Sequence, residues 1–317
     1  MFSCPSCHSE AKPTANFCGK CGTRLKAQQI TLLAACRCGA ISESIDATGF
    51  CNECGVRVVE SDPSSHEEIA VDDGFGGVTD KGRRHAVNED AIGLADAASA
   101  LGPVRILIVC DGVSTSSAAS RASSTAVAAF RESALESLRG GPDLDRAARL
   151  AVEAAQRTVV SIPYGEGQNA PASTIVAALV RDREAVLVWA GDSRAYQIGE
   201  DPEQLTKDDS WLNDVVARGE LTPEQARNHR YSHAIVNSLG IISEGEVFSP
   251  NIRRVSLRAG SRLLLCSDGL WNYVDDVDDI SKLVPAGAAV DACRDIVAFA
   301  NRMGGHDNIS AVLLVID

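Results

Sequence analysis

In this chain of 317 residues the apolar runs repeatedly end, or begin, at an acidic side chain, and that placement restricts the fold more than any other feature. Asp111 follows a run ending in Cys110, Asp192 follows one ending at Ala190, and Asp268 follows one ending in Cys266. Asp307 comes just before the last apolar run, and Glu89-Asp90 just before a short apolar turn at Ala91–Leu94. Glycine flanks three of these acids, in Asp111-Gly112, Gly191-Asp192 and Asp268-Gly269. The runs Val104–Cys110, Ile175–Val180, Ala185–Ala190, Arg262–Cys266 and Ala311–Ile316 have the length of buried strands. Acids at strand ends can converge on one sheet edge, where they repel one another unless cations neutralise them. Such hard oxygen ligands suit magnesium or manganese. Two ions of that kind ~3.5–4 Å apart make a hydrolytic site that acts on phosphate. Each Asp-Gly pair alone reads more readily as a plain turn; the joint pattern carries the inference.

Between the apolar runs lie helical stretches. Ala118–Leu138 is alanine-rich with few breakers, and Pro142–Val160 opens on a proline suited to a first helical turn. Leu144, Ala148, Ala151 and Ala155 share one face of the second. Ser210–Arg218 and Ala288–Arg302 also read as helix. Because strands come in neighbouring groups as well as in alternation with helices, the pattern predicts an α+β layered sandwich rather than a doubly wound parallel sheet. Aromatic residues are 4% of the chain against 45% apolar, so Ala, Val, Leu and Ile must fill the core.

Eight of the 11 cysteines fall within the first 54 residues, as Cys4/Cys7, Cys18/Cys21, Cys36/Cys38 and Cys51/Cys54. The Cys-x-x-Cys spacing lets two thiolates on one tight turn bind a tetrahedral metal. Gly22, Gly39 and Gly55 follow the second cysteine of three pairs, where a knuckle turn needs a small residue. The natural grouping is two structural zinc ions, one on Cys4, Cys7, Cys18 and Cys21, the other on Cys36, Cys38, Cys51 and Cys54, resembling a double zinc ribbon. A disulfide framework is the alternative, which an intracellular chain disfavours. The module is too poor in apolar residues to fold alone, so metal binding is expected to supply its folding energy. Cys110, Cys266 and Cys293 sit in apolar runs and read as core.

The expected organisation is therefore a double ribbon over residues 1–59, a Ser/Pro/charge-rich linker over 60–70, and a large domain over 71–317. Net charge is −13, and residues 1–60 carry six basic and five acidic side chains, so the acidity belongs to the large domain. That balance disfavours nucleic acid and anionic membranes as partners. With no basic-then-apolar start and no membrane-length run, the expectation is a cytoplasmic protein.

The blocks Asn88-Glu89-Asp90, Val109-Cys110-Asp111-Gly112, Gly191-Asp192-Ser193-Arg194, Ser267-Asp268-Gly269-Leu270-Trp271 and Asp307-Asn308-Ile309-Ser310, in this order, resemble the signature blocks of the metal-dependent protein phosphatases of type 2C. The resemblance implies an α-β-β-α sandwich that hydrolyses phosphoserine and phosphothreonine on proteins, with two Mn2+ or Mg2+ ions and a third, looser site. It implies that Asp111 bridges both metals, that the Gly112 carbonyl binds one, that Asp268 and Asp307 complete the first, and that Glu89 acts on the second with Asp90 in support. Asp192 would bind the third. The catalytic set so implied is Asp111, Asp268, Asp307 and Glu89. A hydroxide held between the metals would attack phosphorus in line, with no phosphoenzyme. A Ser/Thr kinase or its targets would be natural partners, and the ribbons a docking or regulatory arm.

The chain departs from the family pattern in three places. His85 stands where relatives carry a phosphate-gripping Arg, so His85, or Arg84 or Arg83 beside it, is the candidate substrate contact, against a plain surface role. Val113-Ser114-Thr115-Ser116-Ser117 lacks a histidine acid, which leaves protonation of the leaving group to water. Asn272 stands four residues after Asp268, where an Asp would strengthen the third metal site. Asp208–Gly240 matches a variable flap, whose His229 and His233 read as structural or surface residues, while Trp211 and Trp271 read as packing. The competing reading is a catalytically weak phosphatase fold that acts as a scaffold through its ribbons.

Overall fold

The computed structural model describes residues 2–3, 10–11, 65–141, 143–241, 248–274 and 276–317. The chain divides into two compact units, Met1–Asp62 and Pro63–Asp317. In the first, the described residues form one antiparallel pair, β1 (Phe2–Ser3) and β2 (Glu10–Ala11), with Phe2 opposite Ala11. The eight paired cysteines lie outside the described residues.

The second unit holds two antiparallel sheets. One has the strand order β10-β9-β12-β13-β4-β3, from β3 (His66–Asp72), β4 (Phe75–Asp80), β9 (Arg194–Ile198), β10 (Glu203–Gln204), β12 (Arg262–Cys266) and β13 (Ile309–Val315). The other runs β11-β8-β7-β6-β5, from β5 (Asp90–Ser99), β6 (Gly102–Asp111), β7 (Ile175–Arg181), β8 (Glu184–Ala190) and β11 (Asn251–Ser256). Strands alternate their side chains between faces, and here both faces are buried. Ile106, Ile108 and Cys110 of β6 join one core cluster, while Leu107 and Val109 join another. On β13, Val312 and Leu314 enter that same middle cluster, while Ile309, Ala311 and Leu313 face a third. The middle cluster is the seam between the sheets.

The outer clusters are closed by helices. α1 (Ala119–Gly140) and α2 (Leu144–Val160) cover the five-stranded sheet, and α7 (Ala289–Met303) covers the six-stranded one. The result is the expected α-β-β-α sandwich. Alanines on the inner face of α1, among them Ala122, Ala126 and Ala134, let the helix lie close to the sheet, which is how so few aromatics suffice. α2 starts at Leu144, because the Asp143 side chain accepts from the backbone N–H of Asp145 and Arg146 and so caps it. Among the described residues four short helices complete the unit: α3 (Trp211–Ala217), α4 (Pro223–Arg227), α5 (Asp268–Trp271) and α6 (Val277–Leu283). Cys110, Cys266 and Cys293 are buried free thiols, as expected.

One part of the expected organisation differs. His66–Ala70, assigned to a linker on composition, forms most of edge strand β3. Its mostly exposed alternation hid it: Glu67 and Glu68 face solvent, and only Ile69 packs on the core. His66 anchors the strand to β4 through Nδ1 and Asp80 Oδ2, 2.7 Å apart.

Candidate active site

The register brings the acids together. Asp90 opens β5 directly opposite Asp111, the last residue of β6. In the other sheet Cys266, at the end of β12, pairs with Ala311 near the start of β13, so Asp268 and Asp307 leave the same end. Two hydroxyls tie the sheets together at that end: Ser267 Oγ and Ser310 Oγ each donate to Asp90 Oδ2 at 2.7 Å. Asp192 follows β8, the neighbour of β7.

The backbone around each acid is fixed. Asp111 N–H donates to Thr174 Oγ1 at 3.1 Å, and its carbonyl accepts from Thr174 N–H at 2.7 Å and Ser173 Oγ at 3.0 Å. Asn308 staples the loop that carries Glu89: its Oδ1 accepts from Glu89 N–H at 2.7 Å, while its Nδ2 donates to the carbonyls of Lys81 and Val87. Ser114 Oγ donates to Glu89 Oε2 at 2.5 Å, so the segment without a histidine still orients this candidate ligand. Asn272 Nδ2 donates to Asp268 Oδ2 at 3.0 Å, which gives that departure from the family pattern an orienting role.

Burial raises the Asp90 carboxyl to about 7, and the charges of Asp268 and Asp307 add to the rise against the two serine hydroxyls. Burial and the neighbouring Asp268 and Asp208 push Asp192 up to about 8. Burial and Asp307 push Asp268 up to about 6. Asp111 is raised well above the usual range by burial and by four neighbours, Asp90, Asp268, Asp192 and Asp307, and its carboxyl hydrogen-bonds Asp268. Buried carboxylates this close are costly unless protonated or neutralised by cations.

The donor chemistry fits a divalent cation. Asp90 Oδ1, Asp192 Oδ1 and Asp268 Oδ1 are buried with no hydrogen-bond partner in the protein, and all are hard oxygens. Among the described residues no three acidic, His or Cys side chains close around a single point, so the acids surround a shared space rather than a finished cage.

The remaining candidates fall around this space. His85 Nε2 lies 3.3 Å from Asp307 Oδ1, a pairing that places it at the acids rather than on an unrelated surface. Arg84 Nη2 lies 3.4 Å from His306 Nε2. Sequence reasoning took Trp271 for packing, but its Nε1 donates to the Asp192 carbonyl at 3.0 Å and its ring carries the Arg194 guanidinium 3.5 Å from the centroid. Arg194 in turn grips Asp208 with two hydrogen bonds of 2.9 and 2.7 Å. A cleft of about 640 Å³ is lined by Asp192 and Trp271 together with residues of the flap, His233 among them. His229 instead stacks on Trp211, with ring centroids 4.4 Å apart, a structural use as expected. Ser114 and Thr174 had no local signature, because the acids they hold, Glu89 and Asp111, lie 25 and 63 residues away.

A model of the protein phosphatase 2C family matches residues 79–301, and a zinc-ribbon model matches residues 3–25. The serine/threonine protein phosphatase PstP of Mycobacterium tuberculosis is 31% identical over 240 residues, covering 74% of this chain and 43% of the relative. The chain thus spans less than half of that protein. The serine/threonine phosphatase stp of Listeria innocua is 29% identical over 243 residues, covering 74% of this chain and 93% of its own length. The crystal structure of the PstP catalytic domain in complex with two manganese ions superposes with a TM-score of 0.61 at 28% identity, covering 80% of this chain and 99% of that one. With the fold, the acids at one sandwich end and this match in agreement, the chain belongs to the protein phosphatase 2C family.

Proposed function

We propose that this protein hydrolyses phosphoserine and phosphothreonine on other proteins, with two Mn2+ or Mg2+ ions held at the end of the sandwich. The observation that carries the reading is the convergence of Asp90, Asp111, Asp192 and Asp268, acids with raised proton affinities, of which Asp90, Asp192 and Asp268 each have a buried oxygen without a partner. Asp111 would serve both ions, the Gly112 carbonyl one of them, Asp268 and Asp307 the first, and Glu89 the second through water. Asp90 would stand behind them, since its Oδ2 is already occupied by two serine hydroxyls. Asp192 would serve a third, looser ion. When bound, such ions supply an activated water and neutralise charge on the phosphoryl group.

The chain's own residues do the rest. Asn308 and Ser114 orient Glu89, the Thr174 and Ser173 contacts fix Asp111, and the Trp271–Arg194–Asp208 chain sets the Asp192 loop against α5. His85, with Arg84 beside it, would meet the substrate phosphate. His85 must then exchange its Asp307 contact for the phosphate, and it donates most strongly when protonated. The paired cysteines would hold two zinc ions, of which the family match spans the first set, Cys4, Cys7, Cys18 and Cys21. Thiolate ligands suit a reducing cytoplasm. A Ser/Thr kinase that writes these phosphates would be the natural counterpart.

The test is hydrolysis of a phosphothreonine peptide by the full chain with manganese, with magnesium and with chelator, beside Asp111→Ala. Manganese-dependent turnover, lost with chelator and in the variant, is expected. No turnover while metal binds would overturn the reading and leave the scaffold alternative, with the ribbons as the working surface.

A further inference from the structure

The cleft beside the acids carries positive charge that the fold leaves unneutralised. Asp192 and Trp271 line it, and Asp192 adjoins Asp268 and Asp111. Its lining also includes Lys207, Arg227 and His233, all exposed to solvent. Arg194 and Asp208 also line it, but they neutralise each other in a two-fold hydrogen-bonded pair. In the described residues some surface arginines find carboxylates, as Arg218 does Asp214, Arg254 Asp145 and Arg294 Glu68, while others, such as Arg121 and Arg302, find none. Lys207 and Arg227 have no such partner.

Both cations stand on fixed backbone. The Lys207 carbonyl accepts from Trp189 Nε1 at 2.8 Å, which ties it to β8. Arg227 closes α4, whose start is held by a reciprocal capping pair between Thr222 and Gln225. An acidic protein whose centre is lined with carboxylates repels an anionic substrate on approach. Free cations at the entrance reverse that locally and raise the rate of encounter. A volume of about 640 Å³ accommodates several side chains of a peptide, more than one phosphoryl group needs.

We propose that Lys207, Arg227 and His233 form a subsite for a second anionic side chain on the phosphorylated substrate, one flanking the residue whose phosphate lies at the acids. The second anion is either an acidic residue or another phosphorylated one. The proposal rests on the phosphatase reading for which end of the cleft receives the scissile phosphate. A phosphate, with its near-double charge and three acceptor oxygens, satisfies the two cations better than a carboxylate does.

The test uses the full chain with manganese and fluorescent peptides that carry a hydrolysis-resistant phosphonate in place of the scissile phosphothreonine. Three peptides differ only in the flank: uncharged, glutamate, or a second phosphothreonine. Fluorescence anisotropy should give affinities in the order second phosphate, glutamate, uncharged, with the first about ten-fold tighter than the last. Lys207→Gln combined with Arg227→Gln should collapse all three to the uncharged value. Both side chains are exposed, so folding is not at risk. Equal affinities in the wild type, a preference that survives the double variant, or no detectable binding of any peptide would overturn the subsite. A preference for the second phosphate alone assigns doubly phosphorylated substrates, and one shared with glutamate assigns acidic flanks as well. Turnover of the matching phosphothreonine peptides is read separately: none hydrolysed, with the binding preference intact, removes the phosphatase reading and keeps the subsite.

Discussion

Gly269 is the position where one methyl group should do the most damage to the site. It is the second residue of α5, immediately after Asp268. A Cβ there would stand 1.9 Å from the Asn308 carbonyl oxygen and 2.8 Å from its carbon. Both obstacles are backbone, so no rotamer change relieves them. To restore ordinary contact at ~3.4–3.5 Å, the start of β13 and α5 must part by roughly 1.5 Å. Asp268 rides on one side of that gap and Asp307 on the other, and the Asn308 side chain also holds the Glu89 loop. Overpacking of this kind costs about 1–3 kcal/mol. For a unit of this size, ~3 kcal/mol lowers Tm by roughly 6–12 °C. A displacement near 1 Å costs on the order of a hundred-fold in rate. Gly269→Ala should therefore melt several degrees lower and lose most of the Tm gain that manganese gives the wild type. Gly140→Ala is the control: nothing lies within 4 Å of its added Cβ at the end of α1, and it should be neutral or stabilising by up to ~1 kcal/mol. Differential scanning fluorimetry with and without manganese reads both. Wild-type melting and wild-type manganese response in Gly269→Ala would refute the claim that this contact sets the acids.

Trp271→Phe keeps a ring face for Arg194 but removes the donor to the Asp192 carbonyl, while Trp271→Leu removes both. Half-saturating manganese in the turnover assay should rise in the first and rise further in the second, and unchanged values in both would deny the pair its positioning role. His66 is a pH-dependent clasp on β3. Burial lowers its proton affinity, but hydrogen bonds to Glu68 and Asp80 outweigh that and hold its pKa above 6.5. Its contribution is thus complete below the unfolded value and is lost as pH rises through the folded one. The side chain is 43% exposed, so the effect should stay under ~1 kcal/mol, and the Tm gap between wild type and His66→Gln should be larger at pH 6 than at pH 9. Elemental analysis should find two zinc ions per chain; one ion would limit the module to the first cysteine set.

The strands that sequence reasoning found are the aliphatic ones, and those it missed share a different chemistry. β12 was located to the residue, because Arg262–Cys266 is a short apolar run with a clear end. β4 (Phe75–Asp80) escaped because Gly76 and Gly77 weaken strand propensity. The fold explains their presence: a Cβ on Gly76 would stand 2.8 Å from the Val290 backbone nitrogen, and one on Gly77 would stand 2.9 Å from Val312 Cγ2. β5 was seen only as a turn at its first few residues, yet it runs to Ser99. Gly93 sits at its centre because a Cβ there would meet Val127 of α1 at 2.6 Å. In both sheets the helix layer comes so close that the strand beneath gives up side chains, and the residues that signal a strand disappear from the sequence. Scarcity of aromatics and hidden strands therefore have one cause, a core built by close approach rather than by bulk.

The acids were legible for the opposite reason. Each lies at the boundary where an apolar run stops, and the chemistry needs it there, so chain position and function coincide. The residues that hold them are not at boundaries of their own. Ser267, just past β12, and Ser310 of the adjacent β13 meet Asp90 of the other sheet, across a separation of 177 residues or more. Nothing in a local pattern can pair residues so far apart. The same holds for Trp271, whose apolar neighbours suggest packing until the fold sets its ring against Arg194 and its N–H against the Asp192 carbonyl. That stack joins two links: Asp208 carries it towards the flap, where Asn213 of α3 donates to the Asp208 carbonyl at 2.9 Å, and Asp192 carries it towards the acids. Any ligand that moves α3 must therefore strain the Arg194–Trp271 contact before it can leave Asp192 unmoved. The cations that line the cleft and the carboxylates near Asp192 thus share a covalent and hydrogen-bonded frame, and occupation of one should be felt as a change in metal affinity at the other.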